Sequence, residues 1–106
     1  VASAQPVKLI MMWDIRSGRE QEYFEFIVQE FIPALQQLGL DPEEAWFTIY
    51  GDYPQILATA RASSLEDLQK ILRSPEWKEL EHRLKQYITN YRYRIVPYKP
   101  TFQFFR

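Results

Sequence analysis

The stretch EAWFTIYGDYPQILATARA (residues 44–62) decides the fold. It holds two apolar runs rich in β-branched and aromatic residues, 44–51 and 53–62, and Gly51-Asp52 lies between them where a tight turn is needed. The pair reads as a β-hairpin. Alternation then splits each strand into two faces. Ile56, Ala58, Ala60 and Ala62 form a small-residue row that lets a helix approach closely, and Phe47 and Ile49 join that side. Leu57, Thr59 and Arg61, with Trp46, Thr48 and Tyr50, point the other way.

Working outward, VKLIMMWDI (7–15) and YRYRIVPY (91–98) read as two further strands. Between the first strand and the hairpin, SGREQEYFEFIVQEFIPALQQLG (17–39) places Phe24, Ile27, Val28, Phe31, Leu35 and Leu38 at helical spacing. Ser17 is the expected N-cap and Gly39 the stop. Pro33 lies deep inside this helix, where its missing N–H and its clash with the Gln29 carbonyl predict a kink or an interruption. After the hairpin, Ser63 and Glu66 have capping-box spacing for a short amphipathic helix. Ser74-Pro75 then opens another helix, with Trp77, Leu80, Leu84, Tyr87, Ile88 and Tyr91 on one face and Glu81 and Lys85 as an exposed i, i+4 pair.

The order strand, helix, strand, strand, split helix, strand is the ferredoxin-like βαββαβ pattern of an α+β domain. Its four-stranded antiparallel sheet carries helices on one face and leaves the other open. On that open face the alternation puts Ile10, Met12 and Asp14 of the first strand beside Trp46, Leu57 and Arg61, with Arg92, Arg94 and Val96 from the last strand. Such a face is too apolar for bare solvent, while Asp14, Arg61 and Arg94 require partners if they are covered. A second sheet packed over it meets both demands.

Composition narrows the chemistry. The 106 residues form one domain, and 16% of them are aromatic, seven within the last twenty positions. Thirteen Lys and Arg against fourteen Asp and Glu leave a net charge of −1, which gives no field to steer nucleic acid or anionic membrane. Having no Cys and a single His, the chain has no disulfide frame, no thiolate nucleophile and no multi-histidine metal centre. No cofactor or metal is expected. No apolar run approaches the ~18 residues of a membrane helix, so neither membrane nor nucleic acid is an expected partner and the cytoplasm is the default compartment. Ala2-Ser3-Ala4 resembles an export cleavage site, but no apolar run supports a signal peptide, and a trimmed start is the plainer reading.

With these elements in place, the sequence resembles the dimeric α+β barrel superfamily, and within it the NIPSNAP-type and related small members. The resemblance spans about residues 7–104 and rests on the element order, the helix start SPEWKELE (74–81) and the ending RIVPYKPTFQF (94–104). It implies a homodimer in which two ferredoxin-like sheets close into a barrel. The core is then about 7–99, and the tail 100–106 crosses to the partner, burying Phe102, Phe104 and Phe105. Ile10, Met12 and Leu57 are the sheet's share of that interface. Pro97 and Pro100 limit the tail to an edge.

Candidate chemistry divides into three readings. Asp14, Tyr50, Arg61 and Arg94 either converge on a polar pocket, where Arg holds a carboxylate or enolate and Tyr donates, or form an ion-pair network inside the dimer. Trp13, Trp46, Tyr23 and Tyr53 either pack as core or line a pocket for a flat aromatic ligand. His82, off the Trp77-Leu80-Leu84 face, is first a solvated residue and second a ligand or acid/base group. The aromatics of YRYR point one way on a strand and its arginines the other, which counts against stacking on single-stranded RNA. The leading expectation is a small-ligand-binding or interaction role. The alternative is a cofactor-independent monooxygenase or isomerase for a small aromatic or carbonyl compound. Such monooxygenases of this superfamily tend to pair an Asn with a Trp, whereas Asn90, the one Asn, falls at the end of the last predicted helix.

Overall fold

The computed structural model describes residues 5–48 and 54–98. In chain order it contains β1 (Val7–Ile15), α1 (Glu20–Phe26), a π-helical turn (Ile27–Phe31), α2 (Ile32–Leu38), β2 (Asp41–Phe47), β3 (Ile56–Ala62), α3 (Leu65–Arg73), α4 (Pro75–Leu84) and β4 (Ile88–Pro97). The strands form one antiparallel sheet in the order β2-β3-β1-β4, so the ferredoxin-like α+β arrangement is present. The turn of the hairpin, Tyr50, and the tail residues Phe102, Phe104 and Phe105 lie outside the described residues. Among the described residues, no helix is long and apolar enough to cross a membrane.

Register sets the two faces. Leu9 lies opposite Ala60 and Ile95, and Met11 opposite Ala58 and Tyr93, all on the helix side. Ile10 faces Thr59 and Arg94, and Met12 faces Leu57 and Arg92, on the open side. The alanine row thus lies under the helices as its size predicts, with Ala60 and Leu68 fully buried. The core joins Leu9, Met11 and Trp13 to Phe26, Phe31, Leu35, Trp77, Leu80 and Leu84.

The first helix differs from its sequence reading in an instructive way. A straight helix would bury Phe24 and Val28 with Phe31 and Leu35, yet Phe24 is 50% and Val28 66% exposed, while Tyr23 and Phe26 are buried. The cause is the π turn, in which the Ile32 N–H reaches back five residues to the Ile27 carbonyl. One extra residue in a turn rotates everything before it by about one position. The same turn accommodates Pro33, which has no N–H to return to Gln29. The expected interruption is therefore a widened turn within a continuous helical run.

Helix ends also move. Ser17 does not cap α1; Gly18, at φ +84°, turns the chain, and Arg19 occupies the cap position, its side chain capping no backbone N–H but donating to the Glu22 carboxylate at 2.9 Å. Ser64, not Ser63, caps α3 by accepting from the Asp67 N–H at 3.0 Å. The last helix stops at Leu84, and Ile88–Asn90 belong to β4. Arg16 fastens that corner, its Nη2 donating to the carbonyls of Lys85 and Ile88 at 3.2 and 3.0 Å. Ile88 and Tyr91 still reach the same core, which is why helical spacing seemed to continue through them. Glu81 and Lys85 do not pair with each other: Glu81 accepts from the Tyr91 hydroxyl at 2.7 Å, and the Lys85 ammonium lies 5.3 Å from the Tyr91 ring centre. β2 starts at Asp41, earlier than the expected 44, with a bulge between Pro42 and Glu44.

Gly39 ends α2 in the left-handed region at φ +98°, with room for a Cβ 3.9 Å from Ile71. Gly39→Ala is therefore expected to cost about 1 kcal/mol of backbone strain, lowering the melting temperature by about 4 to 8 °C, as thermal unfolding followed by circular dichroism will read.

Candidate functional site

The polar candidates of the open face are spread along the sheet. Arg61 lies opposite Lys8, and Asp14 is six residues further along β1, a separation of about 20 Å at strand rise. Arg61 pairs with Asp41 at 3.1 Å and, more loosely, with Glu43 at 4.0 Å, and it stacks on the Tyr98 ring at 5.3 Å. Arg94 is exposed and opposite Ile10. Asp14, Arg61 and Arg94 are thus not brought to one point.

Asp14 works as a clasp between strands. One carboxylate oxygen accepts from the Gln55 backbone N–H at 2.8 Å and the other from the Asn90 side-chain amide at 2.8 Å. The Asn90 bond above all, then the Gln55 N–H and the nearby Arg92 charge, hold the Asp14 carboxyl below its ordinary value of 3.8. Asn90 takes φ +58° where the β1–β4 register shifts, a conformation that Asn tolerates better than most residues. His82 is exposed on α4. Trp46 is 60% exposed on the edge strand, opposite Leu57.

The aromatic candidates behave differently. Between the long helix and the sheet lies a cleft of about 220 Å³. Met11 and Trp13 of β1 and Ile56, Ala58 and Thr59 of β3 form its floor; Tyr23, Ile27, Phe31, Ile32 and Leu35 form its roof; Pro42, Glu43, Glu44 and Ala45 of β2 form one wall. The space has a local cause. Ala45 and Ala58 pair in register and put only methyl groups beneath the helix at the π turn. π turns recur at functional sites because they re-aim side chains in this way.

Two of the lining side chains are hydrogen-bonded to each other. The Trp13 indole N–H donates to the Tyr23 hydroxyl oxygen at 2.9 Å, and both side chains are almost wholly buried. Burial pushes the Tyr23 hydroxyl up to about 12, against a smaller opposing effect from the Trp13 bond. It is therefore a protonated donor throughout the neutral range. Thr59, at the floor, accepts from the Glu44 backbone N–H at 3.2 Å. Among the described residues, no three His, Asp or Glu side chains lie together in a way that could hold a metal ion.

Sequence reasoning grouped Trp13, Tyr23, Trp46 and Tyr53 as core or as the lining of one pocket; the structure brings the first two together. Trp46 lines instead a neighbouring shallow groove with Phe24 and Phe47, and Tyr53 lies outside the described residues. Met11, Phe31, Ala45 and Ala58 were missed; the signal for them was the alanine pair, visible only once the register is known.

No protein-family model and no curated protein sequence matches the chain. Solved structures do, NIPSNAP family proteins among them. A NIPSNAP family protein from Agrobacterium tumefaciens superposes with a TM-score of 0.71 at 22% identity, covering 100% of this chain and 96% of that one. A dimeric protein of unknown function and ferredoxin-like fold from Bacteroides fragilis gives 0.60 at 16% identity, over 88% and 96%. A hydroxynitrile lyase from Passiflora edulis gives 0.69 at 15% identity, over 93% and 98%. At these identities the likeness is one of fold, and that fold is the ferredoxin-like one of NIPSNAP family proteins.

Two pH effects follow. Because the folded Asp14 carboxyl is lowered, its contribution to stability is complete above the unfolded value near 3.8 and is lost as pH falls through the folded one. Urea unfolding should show the gap between wild type and Asp14→Asn narrowing over that acid range. The Tyr23 hydroxyl is raised, so its contribution holds below the unfolded value of 10.0 and is lost between there and about 12. Tyr23→Phe should lose less stability than wild type over the same alkaline range.

Proposed function

We propose that the chain acts in the cytoplasm as a homodimeric α+β barrel that holds a small apolar or aromatic ligand in the cleft between its long helix and its sheet. The observation that carries this reading is the cleft itself: largely apolar on floor and roof, with the hydrogen-bonded Trp13 and Tyr23 among its lining residues. Binding sites for small molecules have this composition.

The open face supports the dimer. Ile10, Met12 and Leu57 form an apolar centre that neighbouring side chains only half cover, ringed by Lys8, Arg61, Arg92 and Arg94 and by Asp14. A self-complementary sheet would bury that centre and pair the charges at its rim. The tail 100–106, with Phe102, Phe104 and Phe105, is the further element we assign to the partner's surface, and Tyr50 and Arg94 belong to the same interface. One neighbour of the same fold is described as dimeric.

A catalytic reading, as an isomerase, lyase or cofactor-independent monooxygenase, is the second one, favoured by the buried Tyr23 hydroxyl and by Glu44 on the cleft wall. Acid–base chemistry requires such a donor and base within reach of one substrate. The hydroxynitrile lyase of like fold makes cleavage of a small carbonyl adduct the reaction to assay first.

Native mass spectrometry of protein from a rich expression host is expected to show a dimer with a reproducible small-molecule adduct; an empty monomer would remove both halves of the reading. Leu57→Glu places a carboxylate at the centre of the open face. It is expected to weaken the dimer by at least about tenfold in sedimentation velocity at micromolar concentration, without loss of fold by circular dichroism.

A further inference from the structure

Resting on the ligand-binding reading above, we infer that the cleft selects an uncharged compound the size of a single substituted ring that carries a hydrogen-bond acceptor, such as a ketone or ester carbonyl, and that the Tyr23 hydroxyl is the donor that fixes it. Three observations meet here. A phenol oxygen can accept and donate at once, and Tyr23 spends its acceptor on the Trp13 N–H while its own proton has no acceptor among the described residues. The hydroxyl is buried, and a buried donor without an acceptor costs about 1 to 3 kcal/mol. A ligand acceptor in the adjoining cleft relieves that cost.

Charge decides the second property. Among the described residues no Lys or Arg lines the cleft, whereas Glu43 and Glu44 do. The Glu43 carboxylate accepts from the Tyr98 hydroxyl at 3.3 Å and lies 4.0 Å from Arg61, which is itself engaged with Asp41 at 3.1 Å. An anionic ligand would enter past carboxylates with no cation to meet it. Size gives the third property: a cavity of about 150 Å³ takes up benzene, so 220 Å³ leaves room for one ring and a short substituent.

The test compares 4′-fluoroacetophenone with 4-fluorocumene, which keeps the shape and replaces the acetyl group by isopropyl, and with 4-fluorobenzoate, using fluorine NMR titrations of wild type and Tyr23→Phe. The ketone is expected to lose about fivefold in affinity in the variant, while the hydrocarbon keeps its affinity and the benzoate binds most weakly to both proteins. Equal responses of ketone and hydrocarbon to the substitution would overturn the assignment of Tyr23 and leave the cleft reading standing. Absence of binding by either neutral compound at millimolar concentration would end the cleft reading and this inference together. Tightest binding of the benzoate would overturn the selection against charge. If Tyr23→Phe does not fold, the infrared carbonyl stretch of the ketone bound to wild type decides: a shift below its position in hexane supports the hydrogen bond, and no shift refutes it.

Discussion

The burial of Trp13 is the constraint on which the rest depends. It lies near the end of the central strand β1 with almost no exposed surface, so its indole N–H requires a partner inside the protein. Tyr23 supplies that partner from α1, and Phe31 and Tyr91 meet the indole from the π turn and from β4, with ring centres 6.0 and 6.2 Å away. Strand, helix and closing strand are thereby fixed around one side chain. Because Tyr23 must point inward to take the bond, the helix is phased with Phe24 outward, and the π turn is what lets Phe31 and Leu35 face the same core. The cleft opens where this phase change meets the alanine pair.

How far the sequence discloses this follows from what each signal depends on. Element order and sheet faces were legible because alternation in VKLIMMWDI and ILATARA is local, and the small row Ala58, Ala60, Ala62 has one physical use beneath a helix. Pro33 announced a disturbance, but its form depends on whether the chain kinks or widens a turn, and only the packing of Trp13 against Tyr23 and Phe31 chooses between them. The end of α4 was overread because Ile88 and Tyr91 serve the same core from a strand as they would from a helix. Spacing alone cannot separate the two. In the candidate site, Trp13 and Tyr23 were two of four aromatics that residue type alone could not separate, while Ala45 and Ala58 matter for what they lack, which is invisible before strands are registered.

The charges of the open face obey a different logic from those of a binding pocket. Arg61 spreads its guanidinium over Asp41, Glu43 and the Tyr98 ring, and Asp14 accepts one bond on each oxygen, from Gln55 and Asn90. Exposed pairs of this kind contribute little to stability. Their effect is geometric: they tie β2 to β3 at one end of the sheet and β1 to β4 at the other, with the apolar centre of Ile10, Met12 and Leu57 between them.

The remaining question is why a domain this small tolerates the cleft. Interiors close-pack, and an enclosed apolar void costs about 24 cal/mol for each cubic ångström. A void of 220 Å³ would then cost about 5 kcal/mol, a large part of the roughly 5 to 15 kcal/mol that holds a domain together. Its opening at the sheet edge lowers that figure by admitting water, but water gains little beside Met11, Ile27 and Phe31. The simplest repair, a larger side chain at Ala45 or Ala58, is one substitution away in either strand. A cleft that costs stability and could be filled so easily is the one feature of this fold for which close packing alone does not account.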